Sequence, residues 1–297
     1  MRLGALEAGG TKMVCAIGDE KGTIYEQASI PTTTPEETMP QIIEYFRTHG
    51  YADGQQLDGI GVAAFGPVDV KPASATYGRI LDSSKLAWRQ YPILNVLQDA
   101  FPIPMGLDTD VNGSCLGEVT YGAGRGLDSV VYITVGTGIG AGIYMDGRLV
   151  HGMLHPEAGH MLIAPVKGDE AHCVCPYHTH CLEGLAAGPS IEKRWGKKAA
   201  ELADCPEVWE LESTYLAQAI TDLIMVVSPQ RFILGGGVMH QQQLFPLIRR
   251  KVVENVNGYI RTPEMADMDT YIVPAGGKDD QGILGALRLA QMAVEQR

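Results

Sequence analysis

Residues 3–18 read LGALEAGGTKMVCAIG, two short apolar runs joined by the turn Gly9-Gly10-Thr11-Lys12. A third apolar run, residues 23–30, follows a further turn, and together the three runs predict a β-meander. Residues 130–150, VVYITVGTGIGAGIYMDGRLV, repeat the same order of strand, Gly/Thr-rich turn, strand, charged turn and strand. The offset of about 127 residues is too long for a solenoid repeat. The pattern therefore predicts two similar α/β lobes.

Predicted strands and helices alternate along the rest of the chain, with glycines at several strand ends. Strands that precede helices in this way are typical of α/β architecture. The predicted strands are 57–65, 103–107, 231–234 and 270–273, and the predicted helices are 35–49, 91–100, 110–121, 190–201, 207–227, 241–258 and 280–296.

The formal net charge is −12, from 23 lysines and arginines against 35 aspartates and glutamates. An acidic chain without a basic patch repels a phosphate backbone, so we expect no nucleic-acid partner. The chain has neither a run of 18 apolar residues nor the pattern of a signal peptide, so we expect no membrane partner. These features favour a cytoplasmic protein.

Three of the six cysteines lie within nine residues and are interleaved with histidines. Such a cluster indicates a metal site in a reducing compartment rather than a disulfide framework. A Cys-x₂-His-x₂-Cys spacing with an upstream histidine is sufficient for a closed tetrahedral zinc site, which leaves no open position and is therefore structural. The best four ligands are His160, Cys175, His178 and Cys181, the competitors are Cys173 and His180, and His172 lies beside them.

Three glycine-rich segments are suited to a nucleotide. In the first, glycines let the backbone approach a phosphate, and Thr11 and Lys12 add a donor and a positive charge. In the second, Gly136-Thr137-Gly138-Ile139-Gly140, a strand follows rather than a helix, which excludes a Rossmann site. The third, Gly235-Gly236-Gly237, permits close approach of a flat ligand such as adenine. A tight turn is an equal alternative for the first segment alone and the ordinary interpretation of the third, but the first two together can hold a nucleotide triphosphate tail.

Asp108-Thr109-Asp110-Val111-Asn112 lies where a predicted strand passes into a helix. A carboxylate at this point can accept a hydroxyl proton, and a neighbouring group can help to hold Mg²⁺. The simpler interpretation is that Asp110 is the N-cap of the helix. The residues alone leave both interpretations open.

Together, the three glycine-rich segments, the segment 108–112 and the Cys/His cluster with the histidine before it resemble the ROK family of sugar kinases and regulators. The resemblance covers nearly the whole chain and is greatest for the bacterial fructokinases of that family. The resemblance implies an actin-like (ribonuclease H-like) α/β fold of two lobes around a cleft, and a homodimer. We expect residues 1–117 to form a small N-terminal lobe, on which helix 280–297 packs back. Residues 118–279 are expected to form a larger lobe with the zinc loop.

The resemblance also implies the reaction and the roles of individual residues. ATP and Mg²⁺ would serve phosphoryl transfer to the 6-hydroxyl of a hexose, with Asp110 as the catalytic base. The sugar-binding residues that it implies are Asp110, Glu157, His160 and Glu183, of which His160 also binds zinc. The ATP-binding residues that it implies are Gly9, Gly10, Thr11, Lys12, Thr137, Gly138, Gly188, Pro189, Gly235, Gly236 and Gly237.

Three features depart from the usual family pattern. Glu7 stands where aspartate is usual, and Thr109 stands where many members have asparagine. The loop Cys175-x₂-His178-x₂-Cys181 replaces the more common Cys-x-Cys-Gly-x₂-Gly-Cys. This altered loop is similar to the fructokinase branch and unlike the glucokinase and N-acetylmannosamine kinase branches. D-Fructose is therefore the expected hexose, with a broad-specificity manno/glucokinase as the alternative.

Two other classes of protein compete with a kinase. A ROK sugar sensor without catalysis carries a DNA-binding helix-turn-helix domain before the first phosphate motif, which here begins at Glu7, so we expect no such domain. A zinc-dependent hydrolase would use Glu157 as base and His155 and His160 as zinc ligands. It needs an open zinc position, which the nearby cysteines would fill.

Overall fold

This computed structural model describes residues 1–51, 54–170, 173–277 and 279–296. These residues contain ten strands and ten α-helices. The strands are β1 (Leu3–Ala8), β2 (Lys12–Gly18), β3 (Ile24–Pro31), β4 (Gly59–Ala64), β5 (Met105–Thr109), β6 (Val130–Val135), β7 (Ile139–Met145), β8 (Arg148–Leu149), β9 (Arg231–Gly235) and β10 (Ile272–Pro274). The helices are α1 (Pro35–His49), α2 (Ile93–Ala100), α3 (Asp110–Tyr121), α4 (Leu182–Ala186), α5 (Gly188–Trp195), α6 (Pro206–Val227), α7 (Leu244–Val256), α8 (Pro263–Ala266), α9 (Met268–Tyr271) and α10 (Gln281–Glu295). His172 of the predicted metal loop and Arg297 of the predicted closing helix lie outside the described residues.

Contacts within the chain group its residues into two compact units. Unit 1 comprises residues 1–126, 149–155 and 276–297, and unit 2 comprises residues 127–148 and 156–275. The division predicted from the sequence, 1–117 against 118–279, stays a prediction.

Two five-stranded sheets have the same strand order. The first sheet is β3-β2-β1-β4-β5, in which β2 runs antiparallel to β1 while β4 and β5 continue parallel to it. The second sheet is β8-β7-β6-β9-β10, with β7 antiparallel to β6 and with β9 and β10 parallel to it. Strand β6 thus takes the position of β1. The shared order confirms the repeated meander that the sequence predicts.

Alternation along β1 and β2 sends apolar side chains to both faces of the first sheet. On one face, Leu6 and Met13 join a buried cluster that also contains the apolar sides of α1 and α2. On the other face, Leu3 and Val14 pack with Leu287 of α10. The first sheet is therefore covered on both sides by elements of unit 1.

Glycines let α10 pack with its backbone directly against the first sheet and α3. A methyl group on Gly61 of β4 would lie 1.8 Å from the carbonyl oxygen of Ala286. One on Gly285 would lie 1.7 Å from the carbonyl oxygen of Gly113 in α3. No larger residue fits at either place without separation of the elements, so these contacts fix α10 in unit 1.

In unit 2 the central strands β6 and β9 are almost wholly buried, as expected for strands covered on both faces. Helix α6, which has 22 residues, packs against α7. Trp209 of α6 and Ile248 of α7 are buried. No helix in the described ranges combines the length and the apolar run that crossing a bilayer requires.

Most of the predicted elements are confirmed, and α3 has the predicted bounds. Two predictions are wrong at one end. The helix predicted over 190–201 ends at Trp195, because Gly196 takes a left-handed φ of 70° that terminates it. The strand predicted over 270–273 begins only at Ile272, because Asp267 caps the short helix α9, which includes Thr270.

Candidate active site

The first glycine-rich turn joins β1 to β2, and two hydrogen bonds to its backbone hold it in place. The Gly9 N–H donates to the Glu7 carbonyl at 3.2 Å, and the Thr32 hydroxyl donates to the Gly9 carbonyl at 2.7 Å. A methyl group on Gly9 would lie 2.6 Å from the carbonyl oxygen of Lys12, so only glycine fits there. Thr11 and Lys12 are exposed at the end of the turn. The turn therefore presents a hydroxyl and an ammonium group to a ligand.

Asp110 is the first residue of α3, but Thr109 caps the helix. The Thr109 hydroxyl oxygen accepts the Asn112 N–H at 3.1 Å, so the N-cap interpretation of Asp110 is wrong. One carboxyl oxygen of Asp110 accepts the adjacent Val111 N–H at 2.8 Å. Thr109, which stands where many family members have asparagine, is thus the N-cap of α3.

A hydrogen-bonded group behind Asp110 was not predicted from the sequence. The buried carboxylate of Asp108 accepts from the Asn112 side-chain amide at 2.7 Å and from the Thr109 N–H at 2.8 Å. Its second oxygen lies 2.9 Å from His151 Nε2, and this hydrogen bond raises the pKa of His151. The signal in the sequence was the spacing of Asp108 and Asp110, which places one carboxyl inside β5 and the other at the first residue of α3.

Two carboxyl groups of unit 1 are poised to titrate near neutral pH. Burial raises the pKa of Asp110 to about 6. Burial, followed by the negative charges of Asp110 and Asp280, raises the pKa of Glu7 to about 7, although Lys12 lowers it. Clustered carboxyls with raised pKa values are common where proton transfer or a divalent cation is needed. This cluster is the strongest chemical feature of unit 1.

The nucleotide-binding glycines predicted for unit 2 lie together around Gly136. The Gly136 carbonyl accepts the Gly188 N–H at 2.8 Å, at the start of α5. A methyl group on Gly136 would lie 3.9 Å from the backbone nitrogen of Gly237. Gly236, with a φ of 90°, packs against β6, where a methyl group would lie 2.5 Å from the Val135 carbonyl oxygen. The result is a glycine surface, at which a flat ligand can approach the backbone closely.

The Glu157-Ala-Gly159-His160 segment packs on the second glycine-rich turn, also in unit 2. A methyl group on Gly159 would lie 1.7 Å from the carbonyl oxygen of Ile139. The Glu183 carboxylate accepts the Ile139 N–H at 3.0 Å, and its other oxygen lies 4.0 Å from His160 Nε2. Glu183 and His160 are therefore held beside the turn, while Glu157 is exposed.

Four residues of unit 2 form a cluster suited to a metal ion. Their ligand atoms, from His160, Cys175, His178 and Cys181, all lie within 4.8 Å of one another. His160 Nδ1 lies 3.8 Å from Cys175 Sγ and 3.7 Å from Cys181 Sγ, and His178 Nδ1 lies 3.4 Å from Cys175 Sγ. Tetrahedral zinc, with bonds of about 2.0–2.3 Å, holds its ligand atoms about 3.3–3.8 Å apart. The donor set therefore suits zinc, and these three separations lie in the range that it requires.

The competing ligands have other neighbours. Cys173 Sγ lies against Gly184, where a methyl group would be 1.9 Å from it. His180 Nδ1 lies 2.7 Å from the Thr179 hydroxyl. In unit 1, His155 Nε2 accepts the Val68 N–H at 3.2 Å. None of the three belongs to the metal cluster found among the described residues.

Comparison with known proteins identifies the family. The family model described as the ROK family matches residues 3–293. The chain belongs to the ROK family. This ROK protein is 47% identical over 294 residues to the putative fructokinase of Bacillus subtilis (strain 168), with 99% of this chain and 96% of that protein covered. It is 44% identical over 295 residues to the fructokinase of Pediococcus pentosaceus, with 99% of each chain covered.

Among solved structures, the ROK hexokinase from Thermus thermophilus superposes with a TM-score of 0.83 at 24% identity, with 100% of both chains covered. This likeness and the two five-stranded sheets confirm the predicted actin-like α/β fold. The predicted site residues of the ROK protein fall into two sets. Unit 1 contains Gly9, Gly10, Thr11, Lys12 and Asp110, and unit 2 contains Thr137, Gly138, Glu157, His160, Glu183, Gly188, Pro189, Gly235, Gly236, Gly237 and the metal cluster.

Proposed function

We propose that this ROK protein is an ATP-dependent fructokinase, which transfers the γ-phosphoryl group of ATP to the 6-hydroxyl of D-fructose. The observation that carries the proposal is the Asp110 carboxyl at the start of α3, whose pKa burial raises to about 6. The choice of fructose is supported by identities of 47% and 44%, over 99% of the chain, to two relatives that bear the name fructokinase.

Asp110 is the proposed catalytic base. Its carboxylate accepts the proton of the 6-hydroxyl as that oxygen attacks the γ-phosphorus, and the bond from phosphorus to the β-phosphate oxygen breaks to release ADP. A base is most effective when its pKa lies near the working pH, which suits a value of about 6. The Thr109 cap fixes the first turn of α3 without using the Asp110 carboxyl as the cap.

The phosphates would be bound by the two glycine-rich turns. In unit 1, Lys12 and the backbone of Gly9 and Gly10 would bind phosphate oxygens. In unit 2, the Thr137-Gly138 turn would do the same, and the glycines around Gly136 would accept the adenosine. Backbone N–H groups in such turns form anion-binding concavities.

Mg²⁺ fits the carboxyl cluster of unit 1. Burial is the main cause of the raised pKa of Glu7, and the negative charges of Asp110 and Asp280 add to it, although Lys12 opposes them. Oxygen ligands of this kind are those that Mg²⁺ prefers, and Glu7 stands where the family usually has aspartate. Glu7 would therefore hold the ion, which when bound offsets charge on the transferring phosphoryl group.

Sugar orientation is assigned to Glu157, His160 and Glu183 of unit 2. Carboxylates accept hydrogen bonds from sugar hydroxyls, and their placement sets which hexose is bound. Zinc would fix the loop that carries His160 and leads into Glu183. Because four protein ligands complete a tetrahedral site, the cluster supports a structural zinc rather than that of a hydrolase. We also propose that the protein is a homodimer and that it is located in the cytoplasm.

The test is an ADP-release assay coupled to product identification, run with fructose, mannose, glucose and N-acetylmannosamine. We expect fructose to give the highest kcat/KM, and phosphorus NMR to identify fructose 6-phosphate. Equal values for mannose, glucose and fructose would support the broad-specificity alternative instead. Hexose binding without ADP release from any sugar would support the non-catalytic sensor and overturn the proposal.

A further inference from the structure

The side chain of Lys85 lies over the first glycine-rich turn. A methyl group on Gly10 would lie 3.1 Å from Lys85 Cε and 3.8 Å from its Nζ. The ammonium group is thus beside the backbone that was assigned to phosphate binding, although 75 residues separate the two positions in the chain. Sequence motifs did not identify Lys85, because nothing adjacent to it in the chain resembles a phosphate loop.

The backbone around Lys85 is fixed by buried neighbours. The Lys85 N–H donates to the hydroxyl of Ser83, which is 1% exposed, at 3.2 Å, and the Trp88 N–H donates to the Lys85 carbonyl at 2.9 Å. Trp88 is also 1% exposed, and its indole N–H donates to the Thr33 carbonyl at 2.8 Å. Only the side chain of Lys85 must therefore be ordered when an anion binds.

Lys85 has no partner of opposite charge in the described part of the chain. It is exposed, and none of the ion pairs found there includes it. Lys12, the first residue of β2 after the turn, is also without an ion pair in the described residues, although it lowers the pKa of Glu7. Lys85 over the Gly9-Gly10 turn and Lys12 directly after it provide local positive charge in a protein of net charge −12.

We propose that Lys85 is a further phosphate-binding residue, whose ammonium group contacts the β- and γ-phosphoryl oxygens of the nucleoside triphosphate at the Gly9-Gly10 turn. This inference rests on the proposed function for the identity of the phosphate donor. An ammonium group binds phosphate as a point charge with three donors, and charge-assisted hydrogen bonds of this kind are stronger than neutral ones.

The test compares Lys85→Met, Lys85→Arg and Lys21→Met with the wild-type chain by titration calorimetry. The probes are the magnesium complex of the non-hydrolysable analogue AMPPNP, and AMP, which lacks the β- and γ-phosphates. We expect Lys85→Met to raise the Kd for AMPPNP by about 10- to 100-fold and to change that for AMP by less than about twofold. Lys85→Arg keeps the charge and should stay within about threefold of wild type.

Lys21 is the matched control, because it is an exposed lysine of unit 1 at the opposite end of β2 from the Gly9-Gly10 turn. Lys21→Met should leave both Kd values unchanged. All variants should unfold at the wild-type temperature, so a lower unfolding temperature for Lys85→Met alone would show a structural role and overturn the proposal.

The outcomes separate this inference from the proposed function. If Lys85→Met binds AMPPNP as wild type does while the wild-type chain makes fructose 6-phosphate, the role of Lys85 is wrong and the function stands. If wild type phosphorylates no hexose but AMPPNP binding depends on Lys85 as expected, the function is wrong and the role of Lys85 stands. A wild-type chain that does not bind AMPPNP overturns both.

Discussion

At the scale of single residues, the carboxyl groups of Glu7 and Asp110 lower the stability of the folded protein when they are charged. Both carboxyl groups are partly buried, and both have raised pKa values because burial disfavours their charged forms. Asp110 adds to the effect on Glu7, since two carboxylates close together repel each other. Above neutral pH the folded protein must hold both charges, which costs free energy that a bound cation would offset.

Glu7→Gln should stabilise the protein in alkaline but not in acidic solution. The pKa of Glu7 is about 7 in the folded state against 4.5 for the ordinary group, so the folded state binds more protons between these values. The wild-type free energy of unfolding therefore falls as pH rises through this window. Because glutamine has no proton to lose, the variant should be more stable above pH 7 by up to about 3 kcal/mol, and about equal to wild type below pH 4.5.

Denaturant unfolding from pH 4 to 8 measures this difference. Glu44→Gln, at an exposed position of α1, is the control and should differ from wild type by less than about 0.5 kcal/mol. A Glu7→Gln variant that is less stable than wild type at pH 8 would show that the Glu7 carboxylate stabilises the empty site, contrary to this account.

At the scale of elements, the position of α10 depends on the absence of side chains. Gly61 in β4 and Gly285 in α10 meet the backbones of α10 and α3, at distances that exclude a β-carbon. Asp280 directly precedes α10 and its charge acts on Glu7, so the same packing also sets part of the electrostatics of the site.

Gly285→Ala should destabilise the protein strongly. The added methyl group would lie 1.7 Å from the Gly113 carbonyl oxygen, so α3 and α10 must separate, at a cost of about 3 kcal/mol. Gly152→Ala is the matched control, because its methyl group would meet only the Leu154 carbonyl oxygen, at 3.8 Å. Urea unfolding should show the loss for Gly285→Ala and less than about 0.5 kcal/mol for Gly152→Ala. Equal stability of both variants would refute the close packing of α10.

Substitution of the neighbouring residues Cys173 and Cys175 should have different effects on zinc binding. We expect about one zinc ion per chain by elemental analysis. Cys175→Ser should lose the ion and unfold at a lower temperature, because Cys175 Sγ lies near both His160 and His178. Cys173→Ser should keep the ion, since Cys173 lies outside the metal cluster of the described residues. If Cys173→Ser lost zinc and Cys175→Ser kept it, Cys173 rather than Cys175 would be the zinc ligand.

Elements with strong periodicity could be predicted from the sequence, and contacts through space could not. The alternation of β1 and β2 and the glycines between them define the first meander, and the same signal recurs at β6 and β7. The cap at Thr109 was missed because Asp110 is the equally good capping residue beside it, and only the Asn112 N–H reveals which one accepts. His151 was missed because its partner, Asp108, is 43 residues away in the chain.

At the scale of the whole molecule, the repeated strand order explains why each of the two units carries a glycine-rich turn. The β1–β2 turn and the β6–β7 turn occupy equivalent positions in their sheets, and each unit adds its own chemistry to that turn. Unit 1 adds the carboxyl cluster and lysines, and unit 2 adds the glycine surface and the metal loop. The net charge of −12 makes these local groups, rather than the overall field, responsible for binding an anionic nucleotide.

The central claim, that the chain phosphorylates fructose with Asp110 as base, is tested most directly by comparing wild type with Asp110→Asn. The measurement is kcat for formation of fructose 6-phosphate at saturating ATP, Mg²⁺ and fructose, with fructose affinity determined by calorimetry on the same samples. The account predicts that kcat falls by about 10²- to 10⁴-fold while the Kd for fructose changes by less than about threefold. Near-normal turnover by Asp110→Asn would contradict it.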